Sequence, residues 1–477
     1  MPHIGPALPE IIVLVMACVI LLADLFLPSR LKHLLYWAAQ ASLIGATVVA
    51  VLYPAAGHLV VMHGMVVADR LSTVLQVAIF AVTAVVFAYS RTYIAERGLF
   101  KSEYFVLALF GVVGMCVMVS AAHLLSLYLG LELLSLSLYA LVALQRDSIA
   151  ASEAAMKYFV LGALSSGLLL YGMSMLYGAT GTLEISRLAI VLATLSQHNM
   201  VATLGLVFVL SGLAFKLGVV PFHMWIPDVY EGAPTSVTLY VSTAPKIAAF
   251  ALFLRLLVGG LHGLSGSWQD MLVMLAVLSM AVGNIVAIAQ TNLKRMLAYS
   301  AISHMGFLLL GILSVRASGY ADAMFYAIVY AAMTLGAFGV IILLSREGFE
   351  AEELTDLRGL HQRSPWYAFM MLLFMFSMAG VPPTIGFYAK LAVIQAVVGA
   401  GFYGLAIGAV LFSVIGAFYY LRVVKVMYFD PPADDHALRS SRDLRWLLSL
   451  NGVAMIILTP WVGTLIAICQ ASVRGLS

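Results

Sequence analysis

Residues 214–226 read AFKLGVVPFHMWI, a lysine inside an apolar run with a glycine and a proline following within five residues. A helix break is expensive in hydrocarbon, because it frees backbone groups that lipid cannot satisfy. The rest of the chain makes the hydrocarbon literal: of 477 residues, 63% are apolar and 10% charged, with a mean hydropathy of +1.03. Apolar runs of about 20 residues, enough to cross roughly 30 Å of lipid as a helix, recur from end to end. They do not alternate as the strands of a barrel would. This pattern specifies an all-α polytopic membrane protein and excludes an ordinary soluble domain.

Breaks at polar, glycine and proline clusters divide the chain into about 14 transmembrane helices, centred near residues 18, 45, 80, 112, 133, 166, 214, 247, 280, 307, 333, 382, 415 and 458. The stretch TLEISRLAIVLATLSQ at 182–197 is too polar to span and reads as an amphipathic surface helix. The first residues, MPHIGPALPE, lack the basic region of a cleavable signal, so the first apolar run is expected to be retained. With the N-terminus outward, the inner loops collect Arg30, Lys32, Arg91, Arg97, Lys101, Arg146, Lys157, Lys294, Arg295, Arg346, Arg358, Arg363, Arg422, Lys425, Arg439, Arg442 and Arg445. These are seventeen of the 25 basic residues. Arg70, Arg187, Arg255, Arg316 and Arg474 fall outside, and the positive-inside rule then places both termini on the outer face. The basic residues are spread over loops, and no nucleic-acid partner is expected. Cys18, Cys116 and Cys469 stand too far apart for a disulfide framework or a CxxC metal site, so no metal or cofactor is expected within the chain.

Three lysines remain. Lys216, Lys246 and Lys390 fall near the middle of spans, and Glu132 sits at the centre of LLSLYLGLELLSLSLYALVAL. Each costs roughly 2.5–3.5 kcal/mol to insert. A lysine so placed is too deep to snorkel, the bland alternative, and the four together read as proton-carrying groups. The opening break runs from Gly218 to Pro221. A second lies in AGVPPTIGF at 379–387, with Gly380, Pro382 and Pro383, and Lys390 follows it. Interrupted helices in matching positions of two halves mark an inverted repeat whose irregular backbone lines an ion path, although glycine and proline also make ordinary kinks in membrane helices. The expected organisation is three helices over 1–102, a five-helix repeat over 103–258, its inverted counterpart over 259–428, and a cytoplasmic loop with a last helix over 429–477.

Other polar residues extend the pattern. His304 can accept and donate a proton near neutrality and is a possible relay, though a helical histidine is as often structural. Lys157 is a second possible relay, with interfacial anchoring at the inner end of its span as the simpler role. His223, Trp225 and Tyr230 are expected in an aromatic belt, with Asp228 and Glu231 in the loop beyond. Gly399, Gly401 and Gly404 match GxGxxG but occupy a short turn between spans, without the strand and helix of a dinucleotide fold.

The stretches RDSIAASEAAMKYFVLGALSSGLLLYGMSMLYGATGT (146–182), KLGVVPFHMWIPDVYEGAPT, NLKRMLAYSAISHMGFLLLG, AAMTLGAFGVI and MAGVPPTIGFYAKL closely resemble the N-subunit family of bacterial proton-pumping NADH:quinone oxidoreductase, respiratory complex I. The likeness covers nearly the whole chain, and 146–182 is its most specific part. It implies an antiporter-like subunit of the membrane arm in the bacterial inner membrane, similar to Mrp antiporter subunits, with an M subunit and small membrane subunits as neighbours. NADH, FMN, iron–sulfur clusters and quinone would belong to partner subunits. The family's proton path maps onto Glu132, Lys216, Lys246 and Lys390, and M-type relatives carry a glutamate where Lys390 stands. A Glu132–Lys216 pair about 4 Å apart would attract by about 4 kcal/mol at an effective dielectric near 20, about three pKa units of lysine basicity. The rivals are an independent cation/proton antiporter and a non-conducting spacer.

Overall fold

The computed structural model describes residues 5–53, 57–194, 199–432 and 441–475; Arg439, Met1 and Ser477 lie outside them. Three helices open the chain, α1 (Leu8–Phe26), α2 (His33–Leu52) and α3 (Arg70–Glu96). Then follow α4 (Ser102–Val119), α5 (Leu124–Val142), α6 (Ile149–Thr180), a short α7 (Ile185–Thr194) and α8 (Met200–Leu217). Past the first break come α9 (Trp225–Gly232), α10 (Thr235–Val241) and α11 (Ala244–Phe253); the last two form one span that ends in a π-helical turn at Leu254–Gly260. Next are α12 (Ser265–Ala289), α13 (Leu293–Leu313), α14 (Ala317–Leu344) and a single turn, α15 (Leu360–Arg363). Helices α16 (Pro365–Ala379) and α17 (Ile385–Gly399) flank the second break, and α18 (Tyr403–Phe429), α19 (Arg442–Ile457) and α20 (Val462–Val473) complete the bundle.

Among the described residues, 12 helices are long and apolar enough to cross a membrane, and α19 with α20, bent by 55°, makes a thirteenth. The expected fourteenth requires α16 and α17 to be halves of one span: each has 15 residues, about 22 Å of helix, too short to cross alone. All expected centres fall on these helices except 382 and 458, which fall on the junctions of the two interrupted pairs. Helix α7 lies where the amphipathic pattern put it, with Ile185, Leu188 and Leu192 buried and Ile190 exposed. One element departs from an all-α chain. Leu59–Val61 and Val66–Ala68 pair antiparallel about a turn in which Met62, His63 and Gly64 all have positive φ.

Helix ends are set by short polar side chains. Asp69 caps α3 through the Ser72 N–H at 2.8 Å, and Ser148, Asn199 and Asn292 cap α6, α8 and α13. The apolar window of 235–260 is wholly buried, against 28% for α1 and for α18, so the core lies around α10, α11, α13 and α14 and the flanks face outward. Glycine permits the closest contacts: a Cβ on Gly114 would stand 2.6 Å from the Gly130 carbonyl oxygen, so α4 and α5 touch backbone to backbone.

The hairpin end of the bundle also holds both described chain ends. The Gly5–Ala7 turn packs on the second strand, and Gly475 lines a cleft with His58 and Arg255. Beneath it, Arg255 donates to Asp69 through Nη1 at 2.6 Å and Nη2 at 2.8 Å, and through Nε to the Val119 carbonyl at 2.9 Å. Burial pushes the Asp69 carboxyl up, but Arg255 outweighs it and holds the pKa below the ordinary 3.8. A depressed carboxyl stabilises fully above its unfolded value and loses that contribution as pH falls through the folded one, so the clamp is intact at neutral pH and fails only in strong acid. Arg255→Leu strands a buried carboxylate, which costs about 3–5 kcal/mol. The assembled complex should then unfold at a clearly lower temperature in detergent; an unchanged transition would show the pair to be neutral.

Candidate functional site

The two breaks solve one problem in one way. Helix α8 ends at Leu217, and Gly218 turns the chain with φ 83°, so the last carbonyls of α8 lose their helical partners. Lys246 Nζ on α11 donates to the Leu217 carbonyl at 2.8 Å, Trp225 Nε1 to the Phe215 carbonyl at 2.9 Å, and the Val220 N–H finds Ser279 Oγ at 2.9 Å. At the second break α16 ends at Ala379, and Gly380 turns the chain with φ 85°. Lys390 Nζ on α17 donates to the Ala379 carbonyl at 3.0 Å and to Ser413 Oγ at 3.1 Å. In both cases a buried lysine holds the carbonyl just before a left-handed glycine. The fit is tight, for a Cβ on Gly218 would meet Lys246 Nζ at 3.3 Å and one on Gly380 would meet Lys390 Cδ at 2.9 Å. Pro221 and Pro383 follow, each after a cis bond, and Pro382 precedes the latter.

The lysine written beside the first break in the sequence is therefore not the one that serves it. Lys216 donates instead to Ser135 Oγ, and the Ser135 hydroxyl donates to the Leu131 carbonyl. Ser135 stands one turn along α5 from Glu132, whose Oε1 is buried without a hydrogen-bond partner. The direct Glu132–Lys216 pair is thus open, with a serine beside the ammonium. Lys216 and Lys246 meet in another way: with Ser135, Tyr158 and Trp225 they line a void of about 20 Å³, room for one water.

Trp225 stacks on Tyr158 with centroids 4.5 Å apart, and Lys246 lies 5.1 Å from the Trp225 ring centre. Trp225 and Tyr230 are therefore interior residues, 2% and 0% exposed, and not part of an aromatic belt. The Trp225 ring is drawn inward by the carbonyl that the break sets free. Asp228 and Glu231 likewise stand on α9 and not in a loop.

On the far side of the core, His304 is hydrogen-bonded through Nδ1 to the Tyr326 hydroxyl at 2.6 Å and through Nε2 to the Tyr420 hydroxyl at 3.0 Å, and Tyr420 is bonded to Ser300. Lys390 lies 4.9 Å from the ring centre of Phe307, three residues beyond His304 on α13. The structure thus brings Lys216 to Lys246, and Lys390 to the neighbourhood of His304. Direct bonds join neither set to the other.

Lys157 bonds Glu153 and Asp228, both at 2.8 Å, at the edge of a charged cleft of about 670 Å³. Asp228 is pushed up by burial but held below the ordinary carboxylate range by Lys157 and Arg295. Two basic residues that the charge count left in loops are buried: Lys294, 1% exposed, donates to the Ala233 carbonyl and Glu352, and Arg255 is 3% exposed. The signal for Lys294 was the Asn292 cap, which draws it into the first turn of α13. Gly399 is the last residue of α17, Gly401 lies in the turn between α17 and α18, and Gly404 is in the first turn of α18. Among the described residues no three His, Cys, Asp or Glu side chains are placed to hold a metal ion.

Residues 121–416 match the family model described as NADH:quinone oxidoreductase/Mrp antiporter, TM. The chain is 57% identical to NADH-quinone oxidoreductase subunit N of Thioalkalivibrio sulfidiphilus, covering 99% of this chain and 98% of that one. It is 58% identical to the protein of the same name from Nitrosomonas europaea, over 96% and 95%. Among solved structures, a chain of respiratory complex I from Thermus thermophilus with bound Aureothin superposes with a TM-score of 0.83 at 30% identity, over 97% of this chain and 100% of that one.

Proposed function

Because the chain belongs to the N-subunit family of NADH-quinone oxidoreductase, a translocase complex in whose membrane part this antiporter-like fold resides, we propose that protons cross the membrane arm through it. The observation that carries this reading is the repeated arrangement at the breaks, a buried lysine on the carbonyl preceding a left-handed glycine. A bilayer-depth charge at a wet, irregular backbone is what a proton path requires and what a spacer has no use for. The matching breaks support two five-helix repeats, over 103–258 and 259–428, after three helices and before a last one.

In this reading Glu132 and Lys216 load the path, and Lys246 receives the proton across the shared void. His304, with Tyr326 and Tyr420, bridges towards Lys390, the last site. A carboxylate moving in to about 4 Å would raise the basicity of Lys216 by about three pKa units, and its withdrawal would release the proton. Movement or charge in neighbouring membrane subunits, among them the M subunit and the small ones, would set that distance. Quinone reduction, with NADH, FMN and iron–sulfur clusters, takes place in partner subunits. Lys157, bound to Glu153 and Asp228, anchors the inner end of α6.

The distribution of basic loops supports an orientation with both termini on the periplasmic side of the bacterial inner membrane. A dye in inverted membrane vesicles free of sodium and potassium should report acidification of the lumen when NADH is added, lost when this chain carries Glu132→Gln. Loss of native acidification on omitting both cations would favour an antiporter, and a chain that can be neutralised without effect would be a spacer.

A further inference from the structure

The charged cleft is bounded by α3, α6, α9, the first residue before α10 and the 348–352 turn. Most of its carboxylates face cations: Asp228 has Lys157 and Arg295, Glu231 has Arg295, and Glu352 has Lys294. Glu350 differs. Its Oε2 accepts from Arg97 Nη2 at 2.7 Å and Nε at 3.1 Å, while its Oε1 accepts from the Tyr93 hydroxyl at 2.7 Å and from the Thr235 hydroxyl. Thr235 is the first residue of α10 and is wholly buried, and its N–H donates to the same Tyr93 oxygen at 3.0 Å. One carboxylate therefore touches both the open cleft and the start of a span with no exposed apolar window.

From Thr235 the span carries hydroxyls upward. Ser236, Thr238, Ser242 and Thr243 are all buried, and Lys246 follows, roughly 16 Å along the helix from Thr235. Thr238, Ser242 and Thr243 bond to backbone carbonyls near their own turns, the ordinary habit of hydroxyls in membrane helices. Ser236 does not. Its hydroxyl is buried, faces the Tyr104 hydroxyl and has no carbonyl partner. A buried hydroxyl without a full hydrogen bond is costly, and Ser236 is free to take or give one. Ser236 follows Thr235 in the first turn of α10, between Glu350, which among the described residues of the cleft bonds the span, and the lysine at the first break.

We propose that Glu350 is the entry carboxylate of this chain, collecting protons from the cleft and delivering them through Thr235 and Ser236 towards Lys246. One proton passes from a bulk acid to Glu350 Oε1. Glu350 gives it to the Thr235 hydroxyl as that group releases its own to the Ser236 hydroxyl, and Ser236 in turn releases one towards Lys246, which accepts it as the neutral amine. The inference rests on the relay reading of Lys246 and gives that lysine a second supply, from the cleft, beside the one through Lys216.

The test uses the assembled, detergent-solubilised complex, measuring NADH-driven quinone reduction, with imidazole as a diffusible proton donor. Glu350→Gln should slow turnover by about tenfold, the scale on which losing a positioned proton-transfer group acts, and added imidazole should restore much of the rate. Glu350→Asp should retain more activity than the glutamine variant. A native rate in Glu350→Gln, or a loss that imidazole does not touch, would make Glu350 only the structural partner of Arg97. If that variant fails to assemble, Thr235→Val leaves the Arg97–Glu350 pair intact and carries the same two outcomes. Lys246→Ala measured alongside separates the readings: a slow Lys246→Ala with native Glu350→Gln and Thr235→Val fails the entry alone, whereas a native Lys246→Ala fails the relay itself.

Discussion

Complexes carrying Glu132→Gln, Lys216→Ala or Lys246→Ala should assemble and oxidise NADH with an artificial acceptor normally, yet pump protons and reduce quinone at least about tenfold more slowly. Glu132→Gln is the cleanest of the three. The exchange is isosteric, and Oε1 has no hydrogen bond to lose, so a structural role predicts at most a small effect through Tyr128. Lys246→Ala removes a donor from the Leu217 carbonyl as well as a charge, and part of its effect, about 1–3 kcal/mol of stability, comes from stranding that oxygen. Detergent stability should be read beside the pumping rate for this reason. Proton pumping measured in liposomes, normalised to assembled complex, decides the matter: native rates in both Glu132→Gln and Lys216→Ala would remove the pair from the path. Glu132→Asp should be milder, since it keeps the charge and shortens the reach.

The second large effect is expected from a change that preserves charge. Lys390→Arg should pump at a small fraction of the native rate, about a tenth or less, because a guanidinium cannot release its proton at any accessible pH. The site itself adds to this. Lys390 is packed against Gly380 and held by the Ala379 carbonyl and Ser413, a setting cut for an ammonium and not for a planar fork. Lys390→Glu restores a titratable group, the kind that M-type relatives place there, and should recover part of the activity. Gly380→Ala leaves the lysine in the sequence but drives a methyl to 2.9 Å from its Cδ and strains a residue at φ 85°, so it should mimic loss of the lysine. A Lys390→Arg complex with native proton flux would make Lys390 a fixed charge, and His304 the next group to test as the final site.

The helices were legible in the chain because each needs about 20 apolar residues, and charge or proline interrupts that pattern visibly. Glu132, Lys216, Lys246 and Lys390 were legible for the same reason. What the sequence could not show was which lysine answers which break. Proximity in the chain couples Lys216 to Gly218, but Lys246, 28 residues further on, reaches the freed carbonyl because α11 packs beside the end of α8. Lys294 and Arg255 escaped notice because they stand at span ends, where a basic residue ordinarily means a loop. Trp225 looked like a belt residue until its indole nitrogen was found on the Phe215 carbonyl. The hairpin at 59–68 was hidden in a stretch too short to declare a period.

The backbone contact between Gly114 and Gly130 has a mechanical meaning. With 2.6 Å left for an added atom, α4 and α5 have no room to slide past each other, and Gly283 of α12, where a Cβ would stand 2.6 Å from the Ser303 nitrogen, locks α12 to α13 in the same fashion. Such pairs act as stiff levers. The segments 218–224 and 380–384, where no regular helix runs, are the joints between levers, and at each joint one lysine holds the carbonyl before the glycine, with Trp225 and Ser279 beside it at the first and Ser413 at the second. In the relay proposed above, a push from a neighbouring subunit would then be passed along the levers and not dissipated across the bundle. It would be concentrated at the two places where an ammonium and a carbonyl can part.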